Sequence, residues 1–410
     1  MRKVLVVDDD PAILTIVSKR FQAEAVETMT ASDGAEGLRL VKEARPDVVL
    51  LDLMMPKMHG FTVIQEIRND PSLGHVKIVV TSAKTYSSDV ETARRLGADR
   101  YLSKPYDLQQ LWDTVSELLG EIRQRFSIRF WGTRGSIPTP GLGTVKYGGN
   151  TSCTEVRCSD QLLILDAGTG IRLLGEALLN EFREKPIQGH IFVGHTHWDH
   201  IQGLPFFAPA FVPGNEFGVY NVHGAEKPLK KVFQEQMDSA YFPVRLSDMR
   251  AKLTFHELES DVQVGEAQVS YFFLNHPGLA VGFRITFGDR SLVYISDHET
   301  YGRLSPSGPS PNPLDLEVAR FAENADLLIC EAQYTEEEYE QKRGWGHSTF
   351  LDALDRAAQA KVKRMAIFHH DPAHDDEFLD RTLEFCQKTI ADRNYSFSCF
   401  LAQEGTSTDI

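Results

Sequence analysis

The chain has 410 residues, with 43 basic against 58 acidic side chains, a net charge of −15, 42% hydrophobic and 25% charged residues. That length suits two or three domains, and that composition excludes a collagenous, mucin-like or wholly disordered chain. No apolar run reaches the ~18 residues that a membrane span needs, and Asp8-Asp9-Asp10 cut the first apolar run too short for a signal peptide. Residues 1 to about 122 alternate short apolar runs with amphipathic stretches. Strands are predicted at Lys3–Val7, Asp47–Leu51, Lys77–Thr81 and Arg100–Leu102, and helices at Pro11–Ala23, Asp33–Ala44, Ser88–Leu96 and Asp107–Arg125. Such alternation implies a parallel sheet with helices on both faces, whose ligands gather at the carboxyl ends of the strands.

The last of these helices runs towards Phe126 without a Gly/Ser-rich or Pro-rich tether. Residues 123–127 are therefore expected to be a helical join that couples two domains mechanically. Beyond it, strands are predicted at Ser127–Trp131, Cys153–Cys158, Leu162–Asp166, His190–Gly194, Val269–Leu274, Ala280–Phe287 and Ser291–Ser296. Helical stretches follow Gly170, Lys227, Asp315, Ser348 and Asp376, and Ser305–Pro311 reads as an exposed loop. The pattern implies two sheets with helices interspersed, in an α/β chain.

The two halves differ in chemistry. Residues 1–125 carry a net charge of −2 and two of the fourteen histidines; the remainder carries −13 and the other twelve. So acidic a second half is a poor match for long nucleic acid, which basic patches usually hold. The five cysteines are odd in number and lack metal-clip spacing, so they read as reduced thiols, and the expected location is the cytoplasm.

In the first half, Asp8, Asp9 and Asp52 stand at strand ends, with Thr81 and Lys104 at two others. Three carboxylates converging in one crevice need a cation, and hard oxygen ligands suit Mg²⁺. Together with a lysine they would bind a phosphoryl group. The ordered set Asp8-Asp9, Asp52 before Leu53-Met54-Met55-Pro56, Gly60, Thr81-Ser82-Ala83 and Lys104-Pro105 resembles the receiver domain of bacterial response regulators over residues 1–122. The resemblance implies a flavodoxin-like (βα)5 fold, Asp52 as phospho-acceptor, and Mg²⁺ framed by Asp8, Asp9 and Asp52. It also implies that Thr81 and Lys104 contact the phosphoryl oxygens, that Tyr101 is the switch aromatic, that Pro105 follows a cis bond, and that a sensor histidine kinase is a partner.

In the second half, His195-Thr196-His197-Trp198-Asp199-His200 leaves the apolar run Ile191-Phe192-Val193. Imidazole and carboxylate suit Zn²⁺ and its neighbours, and four such groups in six residues divide more easily between two ions than around one. His276, Asp297 and His369 each follow another apolar run. This order is similar to that of the metallo-β-lactamase fold, over residues 128–410. The resemblance implies an αββα sandwich holding two divalent transition-metal ions, Zn or Mn or Fe. His195, His197 and His276 would bind one ion, Asp199, His200 and His369 the other, and Asp297 both. His370 is the neighbouring candidate; His369 is chosen because it directly follows Phe368.

Pro277-Gly278, Cys330-Glu331-Ala332 and Gly346-His347-Ser348-Thr349 resemble the ribonuclease Z and phosphodiesterase branch of that fold. In it, His347 would help the reacting phosphate as an imidazolium oriented by Glu331, and Asp199 would orient the attacking water. The charge and the absence of a basic arm favour a small phosphodiester, such as a cyclic nucleotide, over RNA processing. Arg134, Asn150 and Trp198 are the expected substrate contacts, and a homodimer is the expected assembly. A hydrolase of another ester or thioester, an RNA-processing nuclease and a non-catalytic metal-stabilised signalling module are the alternatives.

Overall fold

The computed structural model describes residues 2–22, 26–82, 87–119, 126–183, 185–224, 227–305 and 311–410. The chain forms two compact units, Met1–Arg123 and Gln124–Ile410.

In the first unit, β1 (Lys3–Val7), β2 (Glu27–Ala31), β3 (Val48–Asp52), β4 (Lys77–Ser82) and β5 (Arg100–Ser103) form one parallel sheet in the order β2-β1-β3-β4-β5. Side chains of a strand alternate between faces. Leu5, Val7, Val49 and Leu51 accordingly enter one core, while Val4, Val6, Val48 and Leu50 enter the other. Helices Pro11–Gln22 and Leu108–Leu118 cover the second face; Gly34–Ala44 and Gly60–Asn69 cover the first. This is the flavodoxin-like arrangement, and its strand order reverses at β1/β3, where Asp8 and Asp52 emerge. Strand β2 and helix Gly60–Asn69 were not among the expected elements. The final helix is shorter than predicted: it ends at Leu118, residues 120–125 lie outside the described residues, and Phe126 and Ser127 are already strand, so the expected helical join does not extend through 127.

In the second unit, β6 (Phe126–Gly132), β7 (Cys153–Cys158), β8 (Gln161–Leu165), β9 (Gln188–Phe192), β10 (Glu216–Val222) and β11 (Lys252–Leu258) belong to one seven-stranded sheet. A second contains β12 (Val262–Val264), β13 (Ala267–Leu274), β14 (Ala280–Phe287), β15 (Arg290–Ile295), β16 (Leu327–Glu331), β17 (Arg364–Phe368) and β18 (Ser398–Leu401). The short β19 (Ser407–Asp409) closes the edge of the first sheet against β6. Leu163 and Leu165 meet Phe283, Tyr294 and Ile329 in the core between the sheets. Their neighbours Leu162 and Ile164 face outward under helix Ile171–Phe182. Leu328 and Cys330 face outward on the other side, under helices Phe350–Gln359 and Asp376–Asp392. Four layers result, helix–sheet–sheet–helix, the αββα sandwich. Most of the expected loop lies at residues 306–310, outside the described residues.

Candidate active site and metal centre

The crevice of the first unit is built by β1, β3, β4 and β5. Asp8 and Asp52 are buried there and Asp9 is exposed, with an oxygen of each within 4.8 Å of the others. Lys104 Nζ lies 2.7 Å from Asp8 Oδ2 and 3.3 Å from Asp52 Oδ2. Burial pushes the Asp52 carboxyl above its ordinary range; Lys104 pulls it down and Asp8 pushes it up again. Thr81 is buried opposite Asp52 in the β3–β4 register, and Tyr101 is half-buried on β5. The Lys104–Pro105 peptide is cis. Three carboxylates around one ammonium leave negative charge uncompensated, which fits a hard divalent cation.

The larger site lies where the ends of β9, β13, β15 and β17 meet. Ile191 and Phe192 at the end of β9 are buried, and Gly194 just beyond them donates its N–H to Asp166 Oδ1 at 2.8 Å. The chain then turns, delivering His195 and His197 before the helical turn Trp198–Ile201 that carries Asp199 and His200. His276 follows β13, Asp297 follows β15 and His369 follows β17.

Two cradles result. In one, His197 Nδ1 stands 3.0 Å from His195 Nε2 and 3.0 Å from His276 Nε2. In the other, His369 Nε2 stands 3.0 Å from Asp199 Oδ2 and 3.2 Å from His200 Nε2. Asp297 spans them: Oδ1 is 3.2 Å from His200 Nε2, and Oδ2 is 3.7 Å from both His195 Nε2 and His276 Nε2. Bonds of about 2.0–2.1 Å to one tetrahedral ion set its ligand atoms about 3.3 Å apart, close to this spacing. Asp297 Oδ1 is buried without a hydrogen-bond donor, a costly state for a lone carboxylate oxygen. The donor set and its orphaned oxygen therefore fit two divalent cations.

Outer hydrogen bonds aim these rings, as is usual for metal-binding histidines. His276 Nδ1 donates to the Gly346 carbonyl at 2.9 Å, leaving Nε2 for the cradle. His200 Nδ1 lies 2.8 Å from Asp166 Oδ2, which also accepts the Tyr294 hydroxyl at 2.7 Å. The Gln333 amide lies 2.8 Å from His369 Nδ1, and the Ser136 N–H donates to Asp199 Oδ2 at 2.6 Å. Burial opposes charge on His200, but Asp199, Asp297 and Asp166 outweigh it and hold that imidazole well above its usual range. Asp166 and His369 both sit in the left-handed region, at φ 62° and 61°, strain that a non-glycine residue tolerates chiefly at functional positions. Gly135 is required by space: a Cβ there would stand 2.2 Å from Gln333 Nε2 and 2.5 Å from His369 Nδ1. His370 turns away, and its Nε2 donates to the Ala402 carbonyl at 2.9 Å.

His347 is buried beside the cradles, its ring centroid 5.1 Å from that of His276 and its Nδ1 3.8 Å from Asp297 Oδ2. Burial lowers its pKa to about 3, so the ring is neutral. Burial also pushes the Glu331 carboxyl well up, and the closest approach of the two, Nδ1 to Oε2, is 3.8 Å. That is too long for a hydrogen bond, so the expected imidazolium–carboxylate pair is not formed. Glu331 instead accepts the Ser348 N–H at 2.7 Å and anchors the segment carrying His347.

Two further expectations are corrected. Arg134 is fully buried, donating to the carbonyls of Gly148 at 2.7 Å, Asp371 at 3.2 Å and His374 at 2.6 Å. It clamps loops through Nε and Nη1, and its Nη2 is buried without a partner. Asn150 Nδ2 donates to Glu404 at 3.1 Å. Trp198 is 79% exposed beside the site. The sequence reading missed the orienting groups Gln333, Tyr294 and Glu299, the last holding the N–H groups of Gly344 and Gly346 at 2.7 and 2.8 Å. Their only sequence signal is a polar or aromatic residue within or shortly after an apolar run.

The response regulator receiver domain model matches residues 4–116, and the beta-lactamase superfamily domain model matches residues 162–370, just over half of the chain. Over the receiver the chain is 36% identical, across 119 residues, to the DNA-binding dual master transcriptional regulator RpaA of Synechocystis, covering 29% of this chain and 49% of that protein. It is 40% identical, across 110 residues, to the DNA-binding response regulator MtrA of Mycolicibacterium smegmatis, covering 27% and 47%. The chain thus spans about half the length of these curated relatives. Among solved structures, the metallo-beta-lactamase fold protein YhfI of Bacillus subtilis is 18% identical at TM-score 0.49, covering 70% of this chain and 100% of that one. The short form of human tRNase Z is 19% identical at TM-score 0.47, covering 69% and 98%. With a response regulator receiver domain at its N-terminus and the four-layer sandwich behind it, the chain belongs to the beta-lactamase superfamily.

Proposed function

We propose that the chain is a cytoplasmic response regulator whose output domain hydrolyses a small phosphodiester, under the control of Asp52 phosphorylation by a sensor histidine kinase. The observation that carries the hydrolytic reading is the pair of cradles joined by Asp297, with its two oxygens divided between them. Two divalent ions bound there supply positive charge to the phosphate oxygens and acidify a nearby water. Asp199, pinned by the Ser136 N–H, orients that water. His347 serves in its neutral form, donating one N–H to a phosphate oxygen rather than acting as an imidazolium. Glu331 is a positioning residue that holds His347 through the Ser348 N–H. In the receiver, Asp52 accepts the phosphoryl group, Thr81 and Lys104 bind its oxygens, Tyr101 reports the switch, and Mg²⁺ fits among Asp8, Asp9 and Asp52.

The test offers the metal-loaded chain cyclic nucleotides, bis-p-nitrophenyl phosphate, a thioester and a lactone. Phosphodiester turnover is expected, and His347→Ala should lower kcat on it about 100-fold. Metal-loaded protein that cleaves the thioester or lactone and leaves every phosphodiester intact would reject the reading.

A further inference from the structure

Six of the seven ligand residues of the two cradles are buried or half-buried, and His197 is the exposed one, so the centre opens to solvent on the His197 side. The residues on either side of His197, Thr196 and Trp198, both line a cleft of about 560 Å³, within the ~300–1,000 Å³ range of small-molecule sites. Four aromatic side chains converge on it. Trp198 is 79% exposed, Tyr241 83% and Phe206 54%, and the Phe242 ring meets that of Phe206 edge-on at 5.3 Å. Singly exposed aromatics need no explanation; this many around one concavity make an apolar patch of the kind that marks a binding groove.

Beside Thr196 and Glu235, the polar groups of the cleft are two amides. Gln236 Nε2 donates to the Ile201 carbonyl at 3.1 Å, and Gln202 Nε2 donates to the Thr151 hydroxyl at 3.3 Å. Both amides are thereby held at the cleft wall with a carbonyl oxygen still able to accept. Among the described residues lining the cleft there is no lysine or arginine, and its one carboxylate, Glu235, is paired with Lys227 at 2.5 Å. A wall whose neighbouring lysines are paired with its own carboxylate does not select a phosphate. It suits an uncharged planar ring with hydrogen-bonding edges, which stacks on aromatic faces and reads amides at its rim.

We propose that this cleft binds a nucleobase, and that the substrate is a nucleoside phosphodiester whose phosphate reaches the metal centre while its base stacks on Trp198 and Tyr241. The proposal rests on the phosphodiesterase reading for its reaction and on the cleft for its substrate class. It goes beyond a lone contact at Trp198 by adding Tyr241, 43 positions further along the chain, as a second stacking face.

The test compares two esters with one leaving group, thymidine 5′-(p-nitrophenyl phosphate) and methyl p-nitrophenyl phosphate, on the metal-loaded full chain. The nucleoside ester should have the higher kcat/KM. Trp198→Ala and Tyr241→Ala should each shrink that ratio by about ten-fold, chiefly through KM, as expected for the loss of one stacking face. A ratio that neither substitution alters overturns the base site while leaving phosphodiester hydrolysis standing. If neither ester is cleaved, hydrolysis is rejected, and binding decides the cleft separately. Adenosine should then quench tryptophan fluorescence saturably in the wild type and not in Trp198→Phe; no saturable quenching in the wild type overturns the base site.

Discussion

At the scale of single residues, Asp297 is the side chain on which the centre depends, because its two oxygens face different cradles. Asp297→Ala should reduce bound transition metal from two equivalents per chain to fewer than one, as read by elemental analysis, with the melting curve of the metal-free protein little changed. Asp166 acts one contact further out. Asp166→Asn keeps the shape but removes the charge that faces His200, and should weaken metal affinity about ten-fold, measured by chelator competition. Arg134 separates two roles. If its guanidinium clamps loops, Arg134→Met leaves three buried carbonyls without donors and should destabilise the fold by about 3 kcal/mol in denaturant melts. A substrate contact would instead leave stability unchanged and raise KM. The histidine cluster was legible in sequence because four candidate ligands fall within six residues after one apolar run. The roles of Arg134, Asn150 and Glu331 were not, because each is decided by a partner distant in the chain, such as Glu404 for Asn150.

At the scale of elements, the strands of both units that read clearly are the buried ones, where unbroken apolar runs leave little choice of structure. Of those that escaped notice, β10 is mostly buried, whereas β2 and β11 are more polar. Strand β2 has only Ala31 buried, and β11 has only Leu258 buried; each lies at the edge of its sheet, where one flank needs no apolar partner. Loop packing beside the site gives a test of element geometry. Gly135→Ala would press on Gln333 and His369, so the ion in the Asp199–His200–His369 cradle should be lost first, seen as one equivalent retained of two. Glu404 gives a pH test. Burial lifts its carboxyl above the ordinary 4.5, against the donors of Asn150. The folded chain therefore holds that proton more tightly than the unfolded chain. This contribution to stability is complete below pH 4.5 and is lost as pH rises through the lifted folded value. Glu404→Gln keeps an acceptor for Asn150 and cannot ionise, so its melting temperature should gain on the wild type as pH rises from 4 to 7. A pH-independent offset would contradict this.

At the scale of the whole molecule, a receiver domain and a domain with a candidate metal site share one chain, which is the basis for proposing that one controls the other. Beryllofluoride with Mg²⁺, a phosphoryl mimic, should change kcat/KM on the preferred phosphodiester by about five-fold or more, the ordinary size of a coupling between two sites. Asp52→Ala should erase that difference without altering the metal content of the sandwich. The division of the chain was legible from the asymmetry of its histidines and acids, whereas the shared face of the two seven-stranded sheets is written only in alternating positions such as Leu163 and Leu165. Among the described residues no helix is long and apolar enough to cross a membrane.

Titration of metal-free chain with Zn²⁺ or Mn²⁺, following cleavage of a phosphodiester at each added equivalent, tests the account most directly. Turnover that rises to a plateau at two equivalents per chain, and is absent at every equivalent in Asp297→Ala, is the predicted result. Two tightly bound equivalents with no phosphodiester cleaved, or full turnover in Asp297→Ala, would contradict it.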